Sequence, residues 1–202
     1  MLKAMKYNLS NLTNFEGRDA RQTFWYYVLM IVVVQYAIQI IASIPMYVSM
    51  FGGMFRAIRD NPGDPNAGAA AVEGMMADMM GSIQTLMIVT TIVGVISVGL
   101  LTASFVRRLH DAGFTGWIAV IPIVFYLGAL GYNFVFFDQM EEIMRDAMVA
   151  GMEGGGSNPI AMQAEMGVMG LVGWIAPIVG IIFGAWPSTD GPNKYGTEPV
   201  RF

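Results

Sequence analysis

The chain has 202 residues, of which 55% are hydrophobic and 13% charged, and its formal net charge is −4 at pH 7. Soluble domains usually carry about 25% charged residues, so this composition argues against an ordinary soluble domain. The chain has no cysteine and one histidine, His110. That excludes disulfides, thiolate metal sites, cysteine nucleophiles and any site that needs two imidazoles.

Four long apolar segments follow one another along the chain, and none contains Asp, Glu, Lys, Arg or His. They cover residues 24–51, 83–106, 117–137 and 167–186. Crossing a bilayer as a helix takes about 20 apolar residues, and these segments are too long and too uniformly apolar for barrel strands. The sequence therefore predicts an all-α integral membrane protein, a single domain over residues 1–202 with four transmembrane helices.

The distribution of Lys and Arg predicts the orientation, because basic residues are concentrated on the cytoplasmic side. Eight of them lie in the tails and the second connection, and three lie in the first and third connections. The eight are Lys3, Lys6, Arg18, Arg21, Arg107, Arg108, Lys194 and Arg201. We therefore expect a bacterial inner membrane protein with both termini in the cytoplasm and two extracytoplasmic loops, residues 52–82 and 138–166.

The polar arm before the first span is predicted to turn at residues 14–17. Trp25 then begins the span at the depth where amphipathic rings prefer to lie. Arg18 and Arg21 precede it, and this position predicts contacts with lipid phosphates.

Both outer loops are predicted to contain helix. Residues 67–80 are rich in helix formers and should continue into the second span. In the other loop, Asp138 and Glu141 resemble a capping box, which predicts a helix that begins at Asp138. A glycine-rich stretch at residues 154–159 should end that helix.

Met140, Met144, Met148 and Met152 recur every four residues in this second loop, which places them on one slanted stripe of a helix. Thioethers could bind a soft metal such as Cu(I), or they could form an adaptable packing surface. Packing is the favoured interpretation because no outer histidine or cysteine supplements the thioethers, so we expect no metal and no cofactor.

The connection between the second and third spans is predicted to run from Arg107 to Gly116, and Gly113 within it is the natural place for the helix to end. One interpretation of its charges is that Arg107 and Arg108 bind an anionic lipid head group while Asp111 sets the tautomer of His110. The favoured one is that they anchor the inner end of the second span and pair with the carboxyl tail.

Three short motifs resemble the bacterial inner-membrane family called domain of unknown function 805. They are Asn14-Phe15-Glu16-Gly17-Arg18 with Arg21, Phe24 and Trp25; Arg107-Arg108-Leu109-His110-Asp111 with Gly113, Gly116 and Trp117; and Asp190-Gly191-Pro192-Asn193-Lys194-Tyr195-Gly196 with Pro199. The resemblance extends from about residue 10 to the end, apart from the long methionine-rich outer loops. It implies a small multispanning membrane protein and no established activity, so the roles of these motif residues stay open.

Function is less constrained than architecture. No catalytic motif is present, so we expect a non-catalytic accessory, assembly or structural component of a larger membrane complex. Its partners would be the bilayer and other membrane subunits or a second copy, with no nucleic acid. The alternatives are a soft-metal or lipid-head-group binding protein, or a small oligomeric transporter or channel for a neutral solute. Such a pore could be lined by Gln35, Gln39, Ser43, Thr90, Thr91 and Asn133.

Overall fold

The computed structural model describes residues 1–60, 65–152 and 173–199. Within these residues the chain is helical, and the only β-structure is an isolated bridge between Asn193 and Gly196. The elements are α1 (Leu2–Ser10), α2 (Arg21–Asp60), α3 (Pro65–Asp111), a 3-10 turn (Gly116–Ala119), α4 (Val120–Met152) and α5 (Ile175–Ala185).

Three helical segments among the described residues are long and apolar enough to cross a membrane. They are Arg21–Gly53, Asp78–Asp111 and Gly116–Gln139, which confirms long apolar helices at the first three predicted spans. The fourth predicted span is represented by α5, which has 11 residues. Residues 167–172 lie outside the described part of the chain, so the four-span count stays a prediction.

The predicted connection after the second span begins too early. α3 continues through Arg107, Arg108 and His110 to Asp111, because no residue there breaks a helix. It ends in a Schellman motif: the Gly113 and Phe114 amides donate to the carbonyls of His110 (3.1 Å) and Leu109 (2.9 Å). Gly113 has a φ of 84°, which confirms the predicted helix end.

The described residues of both predicted outer loops, 52–60, 65–82 and 138–152, are helical. The helix expected over residues 67–80 is confirmed as the first part of α3. No helix begins at Asp138, because α4 runs without a break from Val120 to Met152 and no breaker precedes that exposed carboxylate. The methionine stripe thus lies on helical backbone, while its side chains, and residues 154–159, are outside the described structure.

Close helix packing is concentrated at one end of the bundle, where Phe24, Phe105 and Leu109 form a buried core. α5 approaches this core at Gly184, where an added Cβ would lie 2.7 Å from Phe24 Cε1. A Cβ on Gly180 would meet nothing within 4 Å. Of the two glycines, which are four residues apart on α5, only Gly184 is required for the close approach.

Candidate functional site

The three sequence motifs contribute to one polar site at the end of the bundle where α3 finishes. We call Arg18, Arg107, Arg108, Asp19 and Asp111 the arginine cluster. Each of these residues is 5% exposed or less. Burying charge is costly unless every charged group has partners, so the hydrogen bonds of each residue decide what the cluster can do.

Arg107 donates hydrogen bonds from all three of its nitrogens. Nε donates to Asp19 Oδ1 (3.0 Å), and Nη2 donates to Asp19 Oδ2 (3.2 Å) and to Asn8 Oδ1 (2.6 Å). Nη1 donates to the carbonyls of Asn11 (2.9 Å) and Asn14 (2.5 Å). A guanidinium has five N–H groups, so these five bonds leave Arg107 none for a ligand. The side chain instead holds α1, the arm and α3 together.

Asp111 joins the carboxyl tail to α3, as Arg107 joins the amino-terminal arm to it. Its carboxylate pairs with Arg18 (Nη2 to Oδ1, 2.9 Å) and with Arg108. Ser188 Oγ donates to Oδ2 at 2.6 Å. Arg18 also donates to the carbonyls of Thr189 (2.7 Å) and Gly191 (2.6 Å). The carboxyl tail is therefore fastened to α3 and to the amino-terminal arm through one buried carboxylate.

Arg108 connects α3 to the end of α5. Its Nε and the indole N–H of Trp25 both donate to the carbonyl of Gly184, each at 3.1 Å, and its Nη2 donates to the carbonyl of Trp186. Carbonyls at a helix end lack partners within their own helix. Arg108 thus donates hydrogen bonds to carbonyls at the end of α5 and also pairs with the Asp111 carboxylate.

The last carbonyls of α3 also bond to other segments. The Asp19 amide donates to the Arg107 carbonyl (3.1 Å), and the Thr189 amide donates to that of Asp111 (2.9 Å). Asn193 Nδ2 donates to the carbonyl of His110 at 3.0 Å. The arm and the tail together therefore cap this helix end.

His110 lies at the edge of the cluster. Its ring stacks on Tyr195 with centroids 3.8 Å apart and planes 7° apart, and its Nδ1 lies 3.3 Å from the Gly17 carbonyl. The carboxylate of Asp111 bonds instead to two arginines and Ser188. The interpretation in which Asp111 sets the histidine tautomer is therefore wrong, because stronger cationic partners occupy that carboxylate.

The structure separates the two arginines that were expected to contact lipid phosphates. Arg18 is 5% exposed and faces Asp111, so that prediction is wrong for Arg18. Arg21 is exposed, as is Trp117, which has 81% of its surface accessible. These two motif residues lie outside the cluster.

The cluster contains three cations and two carboxylates, so its formal charges do not cancel. The carbonyl ends of α3 and α5 supply the remaining negative potential. Burial raises the pKa of the Asp19 carboxyl above its ordinary value, and repulsion from Asp111 acts in the same direction. Hydrogen bonds from Arg107 and Ser104 and the charge of Arg107 oppose this rise.

Several residues of the site were not predicted from the motifs. They are Asn8, Asp19, Ser104, Gly184, Ser188 and Thr189. A signal existed for Asp19, which directly follows Arg18 beside an apolar span, where an unpaired carboxylate is costly. Asn8 and Ser104 carry no comparable signal, because polar residues of these types are common in arms and membrane helices.

An apolar cleft of about 480 Å³ lies beside the cluster, between α2, α3, α4 and α5. Phe24 and Phe105 line it near the cluster. Farther along α2, Gln35 lines it together with Tyr126, and the Gln35 Nε2 is 3.5 Å from the Tyr126 hydroxyl. The lining of the cleft is almost entirely apolar.

The described residues contain no group of three His, Asp or Glu side chains able to hold a metal ion. The fold and the cluster define an all-helical protein, in the described residues, with helices long and apolar enough to span a membrane. Its amino-terminal arm and its carboxyl tail both bond to the end of α3. The chain belongs to the family described as protein of unknown function (DUF805), whose family model matches residues 12–197. Comparison with curated proteins and with solved structures gave no match.

Proposed function

We propose that this chain is a non-catalytic component of a larger membrane complex, in a bacterial inner membrane with both termini cytoplasmic. The observation that carries the proposal is that its helices are much longer than a bilayer is thick. α2 has 40 residues and α3 has 47, which correspond to about 60 and 70 Å of helix at 1.5 Å per residue. A hydrocarbon core is about 30 Å thick.

The excess length lies at the end away from the arginine cluster. α3 begins at Pro65, and its apolar span begins at Asp78. α4 continues from the end of its span at Gln139 to Met152. Each extension amounts to about 20 Å of helix outside the apolar segment. Helices that project this far offer a surface on which a partner protein can pack.

The arginine cluster supports a structural rather than a catalytic role. A catalytic or ligand-binding arginine needs a free N–H group that is directed toward the substrate, and all five N–H groups of Arg107 donate within the chain. No buried side-chain nitrogen or oxygen in the described residues lacks a hydrogen-bond partner. The charged groups are thus used to join the arm, α3 and the tail.

The pore hypothesis gains little from the residues proposed for it. Gln39 Nε2 donates to Thr90 Oγ1 at 2.5 Å, and Ser43 Oγ donates to the carbonyl of Ile40 at 2.8 Å. The first bond joins α2 to α3, and the second lies within α2. These side chains therefore have hydrogen-bond partners within one copy of the chain, whereas a pore would need them directed at a shared lumen.

The test is affinity purification of the full chain from its native membranes in mild detergent, followed by mass spectrometry. We expect a stoichiometric partner, and we expect it to be lost when Met144→Asp and Met148→Asp are combined. The matched control combines Val149→Asp and Ala150→Asp, which adds the same charge on the opposite side of the helix by its periodicity. Purification of the wild-type chain alone would overturn the proposal.

The cleft favours a second candidate function, the binding of one acyl chain of a membrane lipid. Gly180 lines the cleft, and a side chain added there would meet no atom at the Cβ position. Gly180→Leu should therefore fill the cleft and remove lipid that native mass spectrometry detects on the wild-type protein. Gly128→Leu is the control, because Gly128 is equally open and does not line the cleft. Equal lipid retention by both variants would reject this candidate.

A further inference from the structure

The amino-terminal helix α1 has one face packed on the bundle and one face free of it. Ala4 and Asn8 are 0% and 1% exposed, whereas Leu2 and Leu9 are 70% and 44% exposed. At 100° per residue, Leu2 and Leu9 lie within about 20° of each other on the outer side of α1. An exposed pair of leucines on such a short helix is a feature that the bundle itself does not account for.

The packed face of α1 determines where the helix sits. Asn8 Oδ1 accepts a hydrogen bond from Arg107 Nη2, and the next residue, Arg108, shares the Gly184 carbonyl with the indole of Trp25. α1 is therefore at the level of Trp25. Tryptophan side chains prefer the boundary between the lipid tails and water, so α1 lies at the depth of that boundary.

The charges beside the leucines have one sign. Lys3 and Lys6 are both exposed, and Lys6 lies about 40° from Leu2 on the helix surface. No acidic residue precedes Glu16 in the chain. A helix with apolar residues on its outer face and lysines beside them is typical of one that lies in the plane of an anionic membrane surface.

We propose that α1 is an interfacial anchor that binds the anionic phospholipid surface. Leu2 and Leu9 enter the boundary between the head groups and the acyl chains, and Lys3 and Lys6 contact lipid phosphates. The surface faces lipid because α1 packs against the membrane-spanning helix α2 and carries charge complementary to anionic head groups. Through Asn8 and Arg107, the lipid-contacting helix is joined directly to the arginine cluster.

The absence of cysteine from the chain makes a direct depth measurement possible. Leu9→Cys and, separately, Asp190→Cys are labelled with an environment-sensitive fluorophore, and each full-length protein is reconstituted into vesicles. The vesicles contain phosphatidylcholine alone or mixed with phosphatidylglycerol. Asp190 is exposed in the tail at the same end of the bundle, so its label reports a position in water.

We expect the label at residue 9 to emit at shorter wavelength than the label at residue 190 and to be quenched by lipids with a nitroxide near the head group. Emission and quenching equal to those of the control position, in both kinds of vesicle, would overturn the proposal and leave α1 in water.

The head-group preference is tested with nitroxide-labelled phosphatidylglycerol against nitroxide-labelled phosphatidylcholine. We expect stronger quenching by the anionic lipid. Lys3→Gln with Lys6→Gln should remove that preference, because each lysine near the surface favours anionic lipid by roughly fivefold. Thermal unfolding of the double variant verifies that the fold is intact, since both lysines are exposed. Equal quenching by the two lipids in the wild-type background would overturn the recognition of anionic lipid.

Discussion

Arg18 and Asp111 form an ion pair at 2.9 Å, with side chains that are 1% and 0% exposed. The two residues are 93 positions apart in the chain, and their contact brings the amino-terminal arm to the end of α3. Asp111 also pairs with Arg108, so one carboxylate is the shared counter-ion of two arginines. The Asp111 carboxylate is therefore shared by contacts to the amino-terminal arm and to the carboxyl tail.

Asp111→Asn should destabilise the protein more than any exposed substitution. The change leaves Arg18 and Arg108 buried without their shared counter-ion, and breaking a buried pair from one side costs about 3–5 kcal/mol. The free energy of unfolding in detergent measures the effect. Asp190→Asn removes an equal charge from an exposed position in the tail and should change the free energy little, so similar losses in the two variants would contradict the assignment.

Arg107→Lys tests whether the five-bond geometry matters or only the charge. Lysine offers three donors to acceptors that five N–H groups now satisfy. We expect the free energy of unfolding to fall by about 1–3 kcal/mol, the cost of a buried acceptor left unpaired. The exposed Arg21 provides the matched change: Arg21→Lys should leave stability as it is. An Arg107→Lys variant with unchanged free energy of unfolding would show that charge alone holds the arm.

The sequence was informative about the spans because length alone distinguishes them: an apolar segment of 20 or more residues has one stable form in a bilayer. It predicted the end of α3 at Gly113 but placed the start of the connection too early. Charged residues after an apolar span read as a connection, yet Arg107 and Arg108 remain helical because their partners arrive from the arm and from the tail.

The site itself was only partly predictable for the same reason. Pairing of the charges with the carboxyl tail was expected, but the sequence does not show that Ser188, Thr189 and Gly191 supply the contacts. The predicted lipid contact of Arg18 was wrong because a partner 93 residues away, Asp111, competes for it. No local pattern records which of several charged residues a distant segment will neutralise.

The two glycines of α5 should respond in opposite ways to the same substitution. A Cβ at Gly184 would lie 2.7 Å from Phe24 Cε1 and 2.9 Å from Trp25 Cζ2, so Gly184→Ala must push α5 from the core. Overpacking of this kind costs about 1–3 kcal/mol. Gly180→Ala meets open space and should be neutral or stabilising. Thermal unfolding of the two variants side by side decides the matter, and an equal change in both would show that contact with Phe24 and Trp25 does not control the response at Gly184.

The raised pKa of Asp19 predicts how the stability of the fold depends on pH. Burial raises the pKa of this carboxyl above its ordinary 3.8, so the folded chain binds its proton more tightly than the unfolded chain. The stabilisation from this difference is fully present below pH 3.8 and is lost as the pH rises through the raised pKa. Asp19→Asn does not titrate, and it shares every other group with the wild type.

The stability advantage of the wild-type protein over Asp19→Asn should therefore grow on acidification from neutral pH toward pH 4. The measurement is the difference between the two unfolding temperatures across that range in one detergent, which cancels the titration of all other carboxylates. The opposite trend, an advantage that shrinks in acid, is what an ion pair dominated by Arg107 would produce. That result would mean that the attraction of Arg107 and the Ser104 hydrogen bond outweigh burial, and that Asp19 is held as a carboxylate by its partners.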